Sequence, residues 1–163
     1  MERITFEEYD AWSDKHVGII SEDGFFDDAD VFEEAGVQFH KGNLSVDALD
    51  VSPCVVVDGD LEIAGDITYP FDRGLLVVNG NLKCKIFSFP FPTVVTGNIY
   101  AESVQIDSGC DYWLTVGGDI HANSVIEDGH CIKVLGKIYA PTIKSFLNEL
   151  TVSGDKIARS AKD

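Results

Sequence analysis

The side chains of this 163-residue chain that could do chemistry are four histidines, four cysteines and 28 carboxylates. A zinc site needs three or four His, Cys or carboxylate ligands converging on one point. His16, His40, His121 and His130 are scattered with no His-x-x-x-His pair, and Cys54, Cys84, Cys110 and Cys131 form no Cys-x-x-Cys. No metal or other cofactor is implied. A reactive cysteine needs surroundings that stabilise its thiolate. Cys110 instead lies in Asp107-Ser108-Gly109-Cys110-Asp111, beside carboxylates that oppose ionisation. His130 and Cys131 are neighbours, which a strand would point to opposite sides. Asp58, Asp60, Asp66 and Asp119 could serve acid–base catalysis on a carbohydrate, but they flank turns, where Asp and Asn ordinarily satisfy backbone groups. Gly117-Gly118 opens no helix, so it is not a phosphate loop. These residues do not describe an enzyme.

Binding chemistry is better represented. With 28 acids against 12 bases the formal charge is −16. Nucleic acid and anionic membranes are excluded as main partners, because both require Lys and Arg. A basic protein suits this charge, as does plain solubility. Residues 1–41 alone hold twelve acids and three bases, with Glu22, Asp23, Asp27, Asp28, Asp30, Glu33 and Glu34 clustered and Phe25, Phe26 and Phe32 interleaved. Two longer turns carry Tyr69, Phe71 and Asp72, and Asp107, Asp111, Tyr112 and Trp113. Exposed aromatics rimmed by carboxylates make a protein-binding hot spot; the alternative is that they fold back as local cover. No apolar stretch of signal-peptide or membrane-span length is present. Cysteines without a secretory signal read as free thiols, so the expected location is cytoplasmic.

These side chains must be positioned by a repeat. The phrases VVVDGDLEI, LLVVNGNLKC, TVVTGNIYA, WLTVGGDIHA and CIKVLGKIYA recur, between a weaker VQFHKGNLSV and a decayed ELTVSGDKI. Their glycines, Gly42, Gly59, Gly80, Gly97, Gly118, Gly136 and Gly154, are spaced 17, 21, 17, 21, 18 and 18 residues apart. Two residues before the later six stands valine: Val57, Val78, Val95, Val116, Val134 and Val152. Two after stand Leu44, Leu61, Leu82, Ile99, Ile120 and Ile138, and seven after stand Leu49, Phe87, Val104, Val125 and Ile143. Apolar residues at −4, −2, +2 and +4 have strand periodicity, and the glycine supplies an unusual dihedral at a corner.

A coil of two or three short strands cannot bury its apolar face alone, whereas stacked coils can. The expectation is an all-β chain: a single-stranded β-helix, or β-solenoid, of six or seven coils over 38–154, right-handed. A sandwich needs no valine aligned in successive repeats. Residues 1–37 are read as an acidic cap over the solenoid end, with a helix at 5–16 opened by the capping box Thr5-Phe6-Glu7-Glu8 and a helical turn at Asp30–Ala35. Residues 155–163 are read as a polar tail that caps the last coil only weakly.

The V-x-G-[DN]-[LI] phrase over 38–154 resembles the small bacterial β-solenoids grouped with bactofilin-like, polymer-forming proteins. It is also similar to immunity proteins of polymorphic or contact-dependent inhibition toxin systems. The resemblance is architectural and brings no catalytic motif. The first expectation is an immunity protein, monomer or dimer, that neutralises a cognate toxin, a basic nuclease. The second is a self-assembling solenoid, opposed by an acidic cap because like-charged ends repel. The third is a hexapeptide-type acyltransferase with His121 as its histidine.

Overall fold

The computed structural model describes residues 1–18, 36–52, 54–68, 74–109 and 111–162. β1 (Glu2–Ile4) and α1 (Phe6–His16) come first. Rung one is β2 (Val37–Lys41) and β3 (Leu44–Val46); rung two is β4 (Cys54–Asp58) and β5 (Leu61–Ile63). Rung three is β6 (Leu75–Val78), β7 (Leu82–Lys83) and β8 (Ile86–Phe87); rung four is β9 (Thr93–Val95), β10 (Ile99–Tyr100) and β11 (Ser103–Ile106). Rung five is β12 (Trp113–Val116), β13 (Ile120–His121) and β14 (Ser124–Glu127); rung six is β15 (Cys131–Val134), β16 (Ile138–Tyr139) and β17 (Thr142–Ser145). β18 (Leu150–Val152) begins a seventh rung, and β19 (Asp155–Lys156) turns back.

The chain is a β-solenoid with three sides. A nine-stranded sheet runs β1-β2-β4-β6-β9-β12-β15-β18-β19, a second sheet runs β16-β13-β10-β7-β5-β3, and a third runs β17-β14-β11-β8. Every rung-to-rung pairing is parallel. The six valines form one continuous ladder, each paired with the next. Leu44, Leu61, Leu82, Ile99, Ile120 and Ile138 form a second ladder, and Phe87, Val104, Val125 and Ile143 a third. Together these rows line one interior core.

The glycines serve a different purpose from the one their turn-like setting implies. Only the first and last of the series, Gly42 and Gly154, adopt positive φ. At Gly59, Gly80, Gly97, Gly118 and Gly136 a Cβ would sit 2.5–2.8 Å from the backbone of the glycine one rung earlier. The constraint is close approach of backbones, not a special dihedral. The N–H groups of Gly97, Gly118 and Gly136 donate to the carbonyls of Gly80, Gly97 and Gly118 at 2.9–3.0 Å.

The next position builds a polar ladder along the same corner. The Oδ1 atoms of Asn43, Asp60, Asn81, Asn98 and Asp119 accept from the backbone N–H of Asp60, Asn81, Asn98, Asp119 and Lys137 at 2.7–2.9 Å. These side chains satisfy the corner's backbone donors, which would otherwise be left to solvent. Lys137 has no acceptor to offer and ends the series.

The N-terminal region covers a face as well as an end. Over its first rungs the long sheet is apolar on both sides: Val55, Val57, Leu76 and Val78 face the interior, while the alternate residues Cys54, Val56, Leu75, Val77 and Val94 join a second cluster with Tyr9 and Val17. Helix α1 lies on that outer face, with Trp12 edge-on to Phe39 at 5.4 Å. Its start is the capping box: Glu8 N–H donates to Thr5 Oγ1 at 3.1 Å and Thr5 N–H to Glu8 Oε2 at 2.8 Å. The continuous runs VVVDG and LLVVNG are the signature of a sheet buried on both faces, and the alternation inferred for them holds only within the core rows. β1 closes the sheet's first edge in antiparallel fashion. The expected turn at Asp30–Ala35 lies outside the described residues.

The far end is also closed more firmly than its polar composition implies. β19 pairs antiparallel with β18. Ile157 packs on the core, Ser160 N–H donates to Ser145 O at 2.6 Å, and Lys162 pairs with Asp128 at 2.8 Å. The tail thus crosses from the long sheet to the third sheet.

Gly97→Ala forces rungs three and four apart and lowers the unfolding free energy by about 1–3 kcal/mol; Asn98→Ala removes one acceptor and costs about 1 kcal/mol. Urea denaturation checks both, and an unchanged midpoint for Gly97→Ala would contradict the packing account.

Candidate protein-binding surface

The outer face of the second sheet carries the residues three places after each glycine: Ser45, Glu62, Lys83, Tyr100, His121 and Tyr139, stacked in register. Parallel strands lie ~4.8 Å apart, which is ring-stacking distance. Tyr100 and His121 have centroids 5.0 Å apart at 12°, and His121 and Tyr139 are 4.8 Å apart at 12°. The two tyrosines are 41% and 51% exposed. Asn98 Nδ2 donates to the Tyr100 hydroxyl at 3.2 Å, and Lys83 pairs with Glu62 at 2.6 Å in the same row. Glu102 and Asp119 stand in the neighbouring rows. The result is a three-ring aromatic strip held by the rung spacing. Sequence reasoning missed it, although a shared offset from Gly97, Gly118 and Gly136 was the available signal. The acyltransferase alternative takes His121 as its histidine; in the structure its ring is sandwiched between two tyrosines.

Of the expected site residues, Tyr69, Phe71, Asp72, Glu22, Asp23, Asp27, Asp28 and Asp30 lie outside the described residues. Asp107 and Asp111 are exposed. Tyr112 is half-buried and packs on Phe91 at 6.2 Å, which meets the fully buried Phe89 edge-on at 5.5 Å. Tyr112 therefore roofs the Phe89-Pro90-Phe91-Pro92 turn. Trp113 is half-buried as the first residue of β12, paired with Cys131. The structure brings the two carboxylates to the surface here and turns the aromatics back.

Beneath this turn lies a buried polar group. Glu127 is fully buried in an inward row, between Ile106 and Ser145. It accepts from Gly129 N–H at 2.7 Å, Ser145 Oγ at 2.8 Å, Asn148 N–H at 2.8 Å, Phe146 N–H at 3.0 Å and Leu147 N–H at 3.3 Å. Burial alone would raise its carboxyl; the donors from Gly129, Asn148, Ser145 and Phe146 outweigh burial and hold it below the usual range. His130, also fully buried, meets Ser108 Oγ at 3.1 Å through Nδ1. Burial brings its imidazole down to about 4, against the opposing pull of Glu127 and the Trp113 backbone. Ser, His and Glu are the residue types of a hydrolytic triad, but these five hydrogen bonds commit Glu127 to the corner backbone and Ser145, and it does not orient the imidazole. The arrangement ties rung four to rungs five and six.

The thiols of Cys54, Cys84 and Cys131 are free and buried. Burial raises all three, Cys84 to about 12. Among the described residues no three His, Cys, Asp or Glu side chains converge as a metal cage, and no helix is long and apolar enough to cross a membrane. In sequence the charge is uneven: residues 133–163 hold six bases and three acids, against twelve acids and three bases in 1–41. Compared with known proteins, the chain matches no family model, no curated protein and no solved structure.

His130 gives a pH dependence of defined sign. Its folded pKa is depressed below the ordinary 6.5, so its contribution is intact above 6.5 and is lost as pH falls toward 4. A displacement of that size corresponds to about 3 kcal/mol. Urea midpoints from pH 7 to 4.5 should fall in the parent chain and fall less in His130→Gln; parallel curves would contradict this.

Proposed function

We propose that this chain is a protein-binding inhibitor of immunity type, which captures a basic bacterial toxin, a nuclease being the best fit. The observation that carries the reading is the exposed Tyr100–His121–Tyr139 strip on a rigid sheet. Aromatic anchors that are ordered before contact lose little conformational entropy on binding and dominate interface energetics. The net charge of −16 accelerates capture of a cationic partner. Carboxylates such as Asp107 and Asp111 then stand where the phosphates of a nucleic-acid substrate would approach a nuclease cleft.

The competing readings have less support. End-to-end polymerisation requires rungs to continue across molecules, and antiparallel β1 and β19 occupy both ends of the long sheet. An acyltransferase histidine must reach substrate, and His121 is stacked on both faces.

The test is co-purification with the product of the neighbouring gene, followed by binding kinetics at several salt concentrations. The expected result is a tight complex whose association slows with salt and whose affinity drops at least 100-fold in Tyr100→Ala/His121→Ala/Tyr139→Ala. Full retention of binding by that variant, with circular dichroism unchanged, would remove the strip from the interface.

A further inference from the structure

The second sheet ends differently from the long one. In rungs three, four and five, the N–H groups two and four places after the glycine donate to carbonyls of the next rung. Leu82 and Cys84 donate to Asn98 and Tyr100, Ile99 and Ala101 to Asp119 and His121, and Ile120 and Ala122 to Lys137 and Tyr139, at 2.8–3.1 Å. The equivalent groups in rung six belong to Ile138 and Ala140. No seventh strand meets them, because the chain turns at Ser153 and Gly154, both with positive φ, into β19. The tail covers the long and third sheets at Leu150 and Ser145, leaving β16 as the last strand of its sheet. No carbonyl among the described residues takes these two donors.

The open edge has side-chain character as well. Ile138 and Ala140, members of core rows, are only half-buried. Tyr139 presents a ring face with no further ring stacked beyond it among the described residues, at the end of the aromatic strip. Lys137, at the end of the Asn/Asp ladder, is exposed and forms no ion pair among the described residues. The surrounding segment, 133–163, is the basic end of an otherwise acidic molecule.

We infer that Lys137–Ala140 is a strand-addition site that takes an extended, acidic segment of a partner protein as the seventh strand of the second sheet. Parallel addition satisfies Ile138 and Ala140 N–H with two partner carbonyls. A carboxylate in the row of Lys137 answers its ammonium, and an aromatic two residues later continues the stack on Tyr139. This edge adjoins the aromatic strip and shares Tyr139 with it, but strand addition rests on the Ile138 and Ala140 N–H groups, and its test uses no toxin.

The first measurement is amide hydrogen exchange on the full chain. Ile138 and Ala140 should exchange at least 100-fold faster than Ile99, Ala101, Ile120 and Ala122. Equal protection in the monomer would overturn the inference. The second is titration with the capped hexapeptide Gly-Asp-Ile-Tyr-Ala-Asn, read by amide NMR. Saturable shifts at Ile138–Ala140, slowed exchange there, and weakening of about fivefold or more by Lys137→Glu support it. Ala140→Pro, which removes a donor the fold does not use, should abolish binding. Absence of binding, shifts elsewhere, or undiminished binding to folded Ala140→Pro would sink it. Concentration-dependent protection of Ile138 and Ala140 without peptide would instead assign the edge to a second copy of this chain.

Discussion

The approach of one backbone to the next at the glycine corner is the constraint on which this molecule depends. Rungs can stack in parallel register only if nothing projects between them where the chain bends. Five consecutive corners meet that requirement by having no Cβ, and at Gly97, Gly118 and Gly136 the amide donates directly to the carbonyl of the preceding glycine. Given that contact, the valines two residues earlier and the leucines and isoleucines two residues later must superpose, so the core follows from the corner. The Asn/Asp ladder secures the adjacent position with side-chain acceptors. Burial supplies most of the driving force, but the corner decides which residues are buried together.

The outer surface inherits that geometry. Tyr100, His121 and Tyr139 stack because their glycines stack, and no additional packing is needed to orient them. The same register places Glu127 in an inward row, where a carboxylate is tolerable only because Gly129, Ser145, Phe146, Leu147 and Asn148 answer it. The two sites differ in consequence: the aromatic strip faces outward and is available, while the Ser108–Glu127–His130 group is inside and fastens three rungs together.

Much of the fold was legible because one residue type marked every repeat. Counting from glycine recovered the valine ladder and two further core rows. What escaped was whatever the count did not address. The rows at −5 and −3, such as Cys54 and Val56, lie outside the −4, −2, +2, +4 series, and only the helix packed on them makes them a second buried face. The polar composition of the C-terminal tail implies only a weak cap, yet one apolar residue, Ile157, and one backbone bond from Ser160 fasten it across two sheets. Nothing in the sequence marks Glu127 as buried, since burial of a charge depends on donors from a later rung. The aromatic strip was written at a fixed offset, but attention to inward positions passed over it. Of the two alternatives for Tyr112, exposed anchor or local cover, its half-buried ring follows the second for a local reason: Phe91 one rung earlier provides a surface for it to cover.

The equivalence of Gly97 and Gly118 has a consequence for how such a chain can change over time. The 21 residues between them make one complete circuit, entering and leaving through the same carbonyl-to-amide junction. A circuit of this kind is a cassette: removing or duplicating it would alter the height of the molecule while leaving each remaining junction chemically the same. Length and surface can therefore drift independently of the interior, and relatives of different heights could share one cross-section.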